Sequence, residues 1–331
     1  MATSGTIGAT VVDVSSILEH AFRRAGVDTS KIEGEQQLSA KDNLYFILTD
    51  LANDGVNLWC ITRQLLGCVV GQATYPLATG TVDLLRAYIR TMSYLAGSTI
   101  SGATYLGLDT GVPSGNPSTT TVGVTCNAGA QNLVVEYSPD ATTWTTAYTI
   151  PTFTAVQGNT YWFDIQPQLS MRAWRVRETV AVSIGVTAVQ FGNTPSDIRM
   201  GMLNRDQYND LPNKAAPGKP LQYWYDKQII PQMWVWQVPT DPTQILVAVT
   251  HMHVQDVGAL TNTLAIPQRW QNYVIWGTAE LIANERPKVD RDPATIAYCA
   301  AKAADAKRRA EMGESDGSPI RLTPNIHPYT A

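Results

Sequence analysis

Two histidines one residue apart, His251-Met252-His253, are the nearest this sequence comes to a metal site. Side chains alternate across a strand with a period of two, so both imidazoles would share one face. They could fill two corners of a zinc tetrahedron. A protein zinc site takes at least three protein ligands, and no third-ligand pattern accompanies the pair. The expectation is a polar strand face without a metal. Gly313-Glu314-Ser315-Asp316-Gly317 fits G-x-S-x-G, the turn that lifts a nucleophilic serine where a strand meets a helix. Here it follows a helical pattern and precedes a Pro-rich stretch. His327 is the only histidine downstream, and no acid lies between it and Asp316 to complete a triad. The match is read as coincidence. Cys60, Cys68, Cys126 and Cys299 show no C-x-x-C spacing and are expected as reduced thiols. No Gly-rich phosphate loop is present. Carboxylates are scattered. Neither catalysis nor a cofactor is expected.

The remaining candidates are surfaces. Lys302, Lys307, Arg308 and Arg309 lie on the polar side of the last helical pattern. They suit contact with an acidic partner or with DNA phosphates, and equally a solvated helix end, where cations complement the macrodipole. Tyr223, Trp224, Tyr225, Trp234 and Trp236 crowd into one short stretch. Such density fills a β core or anchors a subunit or tail interface, and can form a stacking platform for sugars or bases. Trp144, Trp162 and Trp174 divide between core and sugar platform in the same way.

Length and composition frame these candidates. The chain has 331 residues, about two domains' worth. Its 44% apolar and 16% charged content is that of a folded protein. A net charge of −4 argues against gripping nucleic acid by bulk positive charge. The opening residues lack the basic start and apolar run of a signal peptide, and no stretch approaches the ~18 apolar residues of a membrane span. Folding in a cytoplasm is expected, with no membrane partner.

The elements come in a telling order. Val14, Ile17, Leu18, Ala21, Phe22 and Ala25 recur at helical spacing, and Gly26 supplies the stop. A second helix is expected from Ser39 as N-cap, with Leu44, Ile47, Leu48 and Leu51 on one face, ending near Asn53-Asp54-Gly55. A polar link over residues 28–37 joins the two. Strands follow over residues 59–92, with a turn at Thr79-Gly80. Residues 97–123 read as a Gly/Ser/Thr/Pro loop. Alternating stretches around residues 132–137, 143–145, 160–165, 172–177 and 186–191 predict a self-contained β-sandwich, immunoglobulin-like or jelly-roll. More β text runs to about residue 256. Helical spacing returns from Pro267, with Trp270, Tyr273, Val274, Gly277 and Leu281 on one side. Asp292-Pro293 starts a last helix that stops at Gly313. Residues 313–331, with Pro319, Pro324 and Pro328, form an extended arm.

The reading is therefore an α+β protein in which the N-terminal and C-terminal helix pairs make one helical domain, since short amphipathic helices need partners. Its segments are helices at 1–58, β at 59–97, the inserted sandwich at 98–192, β at 193–262, helices at 263–312 and the arm at 313–331.

The order and the local text resemble the head-to-tail adaptor or connector proteins of short-tailed bacteriophages, also called tail accessory or packaged-DNA-stabilisation proteins. Ile17-Leu18-Glu19-His20-Ala21-Phe22-Arg23-Arg24-Ala25-Gly26-Val27 looks like the family's opening helix. Leu48-Thr49-Asp50-Leu51-Ala52-Asn53-Asp54-Gly55-Val56 looks like the end of its second. Pro212-Asn213-Lys214, Gly218-Lys219-Pro220, Tyr223-Trp224-Tyr225-Asp226 and Trp236-Gln237-Val238-Pro239 are similar to a β segment of larger phage adaptors. The stretch Glu136-Tyr137-Ser138-Pro139-Asp140-Ala141-Thr142-Thr143-Trp144 resembles discoidin-like or carbohydrate-binding sandwiches.

The resemblance implies a virion protein at the head–tail junction: a homo-oligomeric ring, of twelve copies, docked under the portal with a tail nozzle or tube protein below. Lys302, Lys307, Arg308 and Arg309, with Ile320, Leu322, Ile326 and Tyr329 of the arm, would meet the portal or a neighbouring subunit. DNA would pass through the channel without specific binding, and residues 98–192 would be offered to a tail fibre or spike. The alternative is a carbohydrate-binding module for host glycans. A hydrolase of the cell envelope is a further rival.

Overall fold

The computed structural model describes residues 12–28, 30, 32–53, 58–112, 118–254, 257–264, 266–286 and 292–313. Helices α1 (Val14–Arg24) and α2 (Gly34–Asn53) come first. Strands β1 (Ile61–Gly67), β2 (Thr74–Pro76), β3 (Thr81–Tyr94), β4 (Ser98–Gly102) and β5 (Tyr105–Asp109) follow. Then come β6 (Thr119–Cys126), β7 (Gly129–Gln131), β8 (Leu133–Ser138), β9 (Thr145–Thr149) and β10 (Phe153–Ala155). Next are β11 (Thr160–Leu169), β12 (Ala173–Glu178), β13 (Val186–Arg199), β14 (Gly201–Leu203) and the short helix α3 (Arg205–Asn209). Strands β15 (Pro217–Gly218), β16 (Gln222–Asp226), β17 (Gln232–Trp236), β18 (Val238–Pro239) and β19 (Ile245–Met252) precede α4 (Gln268–Glu285) and α5 (Pro293–Met312). The protein is α+β and rich in antiparallel sheet. It divides into two units, Met1–Ile61 with His253–Ala331, and Thr62–Met252.

In the helical unit, local chemistry sets most helix ends. Asp13 accepts from the Ser16 N–H at 2.8 Å to cap α1, and Gly26, at φ +73°, ends it. Asp292 accepts from the Ala294 and Thr295 N–H groups at 3.1 and 3.2 Å, with Pro293 in the first turn of α5. Pro267 stands immediately before α4 rather than inside its first turn. Helix α2 begins at Gly34, a turn earlier than Ser39, because residues 35–38 (Glu, Gln, Gln, Leu) are good helix formers. Ser39 donates instead to Glu285. Buried faces of α1, α2, α4 and α5 share one core, including Ile17, Phe22, Leu44, Leu51, Trp270 and Cys299.

In the β unit, a six-stranded sheet ordered β1-β19-β3-β13-β6-β11 serves as the common spine. One stretch of it faces the five-stranded sheet β4-β5-β12-β8-β9 across a core containing Val122, Val124, Ile165, Trp174 and Phe191. Another stretch packs its Leu84, Ile89 and Leu246 with Tyr223, Met233 and Val235 of the four-stranded sheet β14-β16-β17-β2. Strand β13 pairs with β6 through its first half and with β3 through its second, so the boundary expected after residue 192 falls inside a continuous strand. The first and last strands of the unit, β1 and β19, are neighbours in the sheet, which brings the two ends of the insertion together.

Residues 97–123 are not the expected loop, since they contain β4, β5 and the start of β6. Buried strands can be built from small residues: Thr119, Thr121, Val122 and Val124 are all inside. Gly107 allows β12 close to β5, because a Cβ there would lie 2.2 Å from the Trp174 carbonyl oxygen.

A buried guanidinium braces the spine. Arg90 on β3 donates to both oxygens of Asp197 on β13 at 2.7 and 2.9 Å, and to Asp164 on β11 at 2.8 Å. Arg63 stands within 3.7 Å of the same two carboxylates.

Candidate functional site

The outward face of the five-stranded sheet carries the most developed polar arrangement. Alternation on β12 turns Trp174 and Val176 into the core and leaves Arg175 and Arg177 on the other face. Glu136 of β8, opposite Arg175 in register, accepts from Arg175 at 2.7 Å and from Arg177 at 2.8 Å. Burial pushes the Glu136 carboxyl up, but the two arginine hydrogen bonds outweigh it and hold the group below its ordinary value. The Arg175 guanidinium lies 4.1 Å from the Trp144 ring centre and 4.8 Å from that of Tyr105.

A local turn places Trp144. After Ser138-Pro139, the Asp140 carboxylate accepts from the Thr142 and Thr143 N–H groups at 2.9 and 2.7 Å and from the Ser138 hydroxyl at 2.8 Å. Ala141 takes a left-handed φ of +63° to make the turn. The backbone donors, Thr143 first, hold Asp140 far below the usual carboxylate range. Beside this turn, Arg172 grips Asp109 through two bonds of 2.9 Å.

The aromatic-rich stretch splits by face. Tyr223 and Tyr225 point into the core, where burial raises the Tyr225 phenol to about 12. Trp224, Trp234 and Trp236 are half-buried on the opposite face. Trp224 and Trp234 stack at 6.0 Å, and Tyr208 of α3 packs on both at 5.4 and 5.9 Å. Trp236 donates to the Asn213 carbonyl at 3.0 Å. The five residues are therefore not one interface, and the two tyrosines are core. Helix α3 was missed in the sequence. Its signal is the reciprocal cap between Asn204 and Gln207.

On α5, Lys302 lies over the Tyr298 ring and Lys307 over Tyr273, while Arg308 and Arg309 pair with Asp305 at 2.9 and 2.7 Å. The arm residues Ile320, Leu322, Ile326 and Tyr329, and the G-x-S-x-G residues 314–317, lie outside the described residues. His251 is buried in β19 whereas His253 is exposed beyond its end, so the pair does not form the expected polar strand face. Among the described residues no group of three or more His, Cys, Asp or Glu could hold a metal. All four cysteines are buried and none forms a disulfide. No described helix is long and apolar enough to cross a membrane. Of the three sandwich tryptophans, Trp174 lies in the core between the sheets, Trp162 is buried beside Tyr94 on the opposite face of β11, and Trp144 is half-buried on the outer face.

No protein-family model matches the sequence, and no curated protein does. Solved structures do. A chitosan-binding module from a Paenibacillus chitosanase/glucanase is 12% identical, covering 42% of this chain and 100% of its own, with a TM-score of 0.22. The module CBM62 from Clostridium thermocellum Xyl5A is 17% identical, covering 40% of this chain and 96% of its own, at 0.23. A family 89 glycoside hydrolase from Clostridium perfringens is 13% identical at 0.23, and this chain spans only 15% of its length. Scores this low establish neither a shared fold nor a shared ligand.

Proposed function

We propose that the chain is a structural, non-catalytic subunit of the head-to-tail junction of a tailed bacteriophage, assembling as a ring between portal and tail. The reading rests on the adaptor-like text of the N-terminal helices and of residues 212–239, and on the order of elements, with helix pairs at both ends of the chain. The observation that supports it best is the single core shared by α1, α2, α4 and α5. The N-terminal and C-terminal helices thus build one body, with the β unit, which carries the adaptor-like residues 212–239, inserted between them. Such a body suits stacking beside its own copies, while an inserted sandwich can decorate the assembly.

Electron microscopy of the full chain mixed with the portal protein of the same genome tests this. The expected result is an added ring of density on the portal, lost when residues 313–331 are deleted. A chain that stays apart from the portal at every salt concentration removes the reading.

A second reading has its own observation, the Trp144–Arg175–Glu136–Tyr105 face, and assigns the sandwich to host glycans. A glycan array probed with the full chain should then show binding that Trp144→Ala abolishes. Binding that survives this substitution, or none at all, counts against it.

A further inference from the structure

Helix α2 is apolar on two sides. Its buried side carries Leu44, Ile47, Leu48 and Leu51. The opposite side exposes Leu38, Tyr45 and Phe46, at 64%, 46% and 54% of their surface. Leu38, Tyr45 and Phe46 are spaced by seven and eight residues, so they form a stripe and not a scatter. Three exposed acids, Glu35, Asp42 and Asp50, flank it.

Helix α5 presents the counterpart. Its outer side exposes Tyr298 at 54% and Met312 at 73%, with the exposed alanines Ala297, Ala301 and Ala304 along the same side. Lys302, Arg308 and Arg309 border this shallow strip together with Asp305, shared by both arginines, and the exposed Glu311, which leaves the face positive by one charge. Both helices pack on α4. From Glu35 to Asp50 is about 22 Å and from Tyr298 to Met312 about 21 Å at 1.5 Å per residue.

We infer that these two faces are the halves of one contact between copies of this chain, α2 of one copy lying on α5 of the next. The large side chains of α2 would lie over the alanine strip, where helix axes can approach closely, and the acidic face of α2 would meet the net-positive face of α5. The faces sit on different helices, so the contact is heterologous, and its repetition builds a ring or a filament, not a closed pair. The inference rests on the ring reading above and specifies the surfaces that would close such a ring.

Sedimentation velocity of the full chain, without portal, over a range of protein and salt concentrations reads it directly. Assembly beyond a dimer is expected, weakening as salt screens the charges. The α2 variant Asp42→Arg/Asp50→Arg and the α5 variant Arg308→Glu/Arg309→Glu should each associate at least about tenfold more weakly alone. Mixed one to one, they should assemble again, because each reversed face meets a complementary partner. Circular dichroism confirms that both variants keep their helices, and the rescue itself requires folded chains. A chain monomeric at the highest concentration reached, or variants that assemble like the parent, overturns the inference. Portal decoration that is indifferent to these substitutions sinks the α2–α5 contact alone. Self-assembly that obeys them without portal decoration sinks the phage reading alone.

Discussion

Replacing Arg90 by alanine is expected to destabilise the β unit by about 2–3 kcal/mol at neutral pH. Removing one partner of a buried ion pair costs roughly 3–5 kcal/mol, because a charge is left without compensation. The lower figure applies here because the carboxylates left behind are 33% and 30% exposed and Arg63 stays near them. Arg90→Lys keeps the charge but not the two-pronged bond to Asp197, so its loss should fall between parent and alanine.

The pH dependence gives a second check. The Arg90 hydrogen bond holds the Asp197 carboxyl below its ordinary value. A depressed carboxyl contributes stability that is complete above its unfolded value, about pH 4, and is lost as pH falls through the folded one. The alanine variant lacks that contribution. Urea melts of parent and variant should therefore differ most near pH 7 and converge below about pH 4. A gap that widens on acidification would show that Asp197 is not the group Arg90 serves.

The legible parts of this sequence are those decided locally. Asp13, Gly26 and Asp292-Pro293 mark helix ends because a cap needs only its own neighbours. The start of α2 has no comparable signal, so the better-looking N-cap at Ser39 misleads by a turn. Strand β6 is a buried strand of Thr, Gly and Val, and in composition it cannot be told from a loop. The segment boundary expected after residue 192 falls beside Asn193, Thr194 and Pro195. The structure makes a bulge there, with Thr194 at φ +48°, and β13 continues into the second core. Period-two alternation separates Tyr223 and Tyr225 from Trp224, but which set faces inward depends on a sheet assembled from β2, β14 and β17. The Glu136–Arg175 face is likewise non-local. Both residues sit in strands that are readable individually, and only the β8–β12 register brings them together.

Trp174→Ala is expected to be the most damaging single change in the sandwich, at about 4 kcal/mol. Trp174 is completely buried, with Tyr137 at 5.8 Å and Phe191 at 6.1 Å between ring centres. It stands opposite Leu108 of β5 and Tyr137 of β8, so it fastens β12 to the strands on both sides. Its neighbour Arg175 is held on the outer face by the same stretch of backbone, so loosening Trp174 should also move Arg175 from under Trp144. Trp144→Ala should behave in the opposite way. A half-buried ring over a guanidinium contributes on the order of 1 kcal/mol to stability, yet it forms one wall of the outer face. Chemical denaturation of the two variants separates core from surface. A loss below about 1 kcal/mol for Trp174→Ala, against the usual cost of emptying a tryptophan-sized site, would mean that the two sheets do not pack through this residue. The outer face would then lose the foundation on which either reading of the sandwich depends.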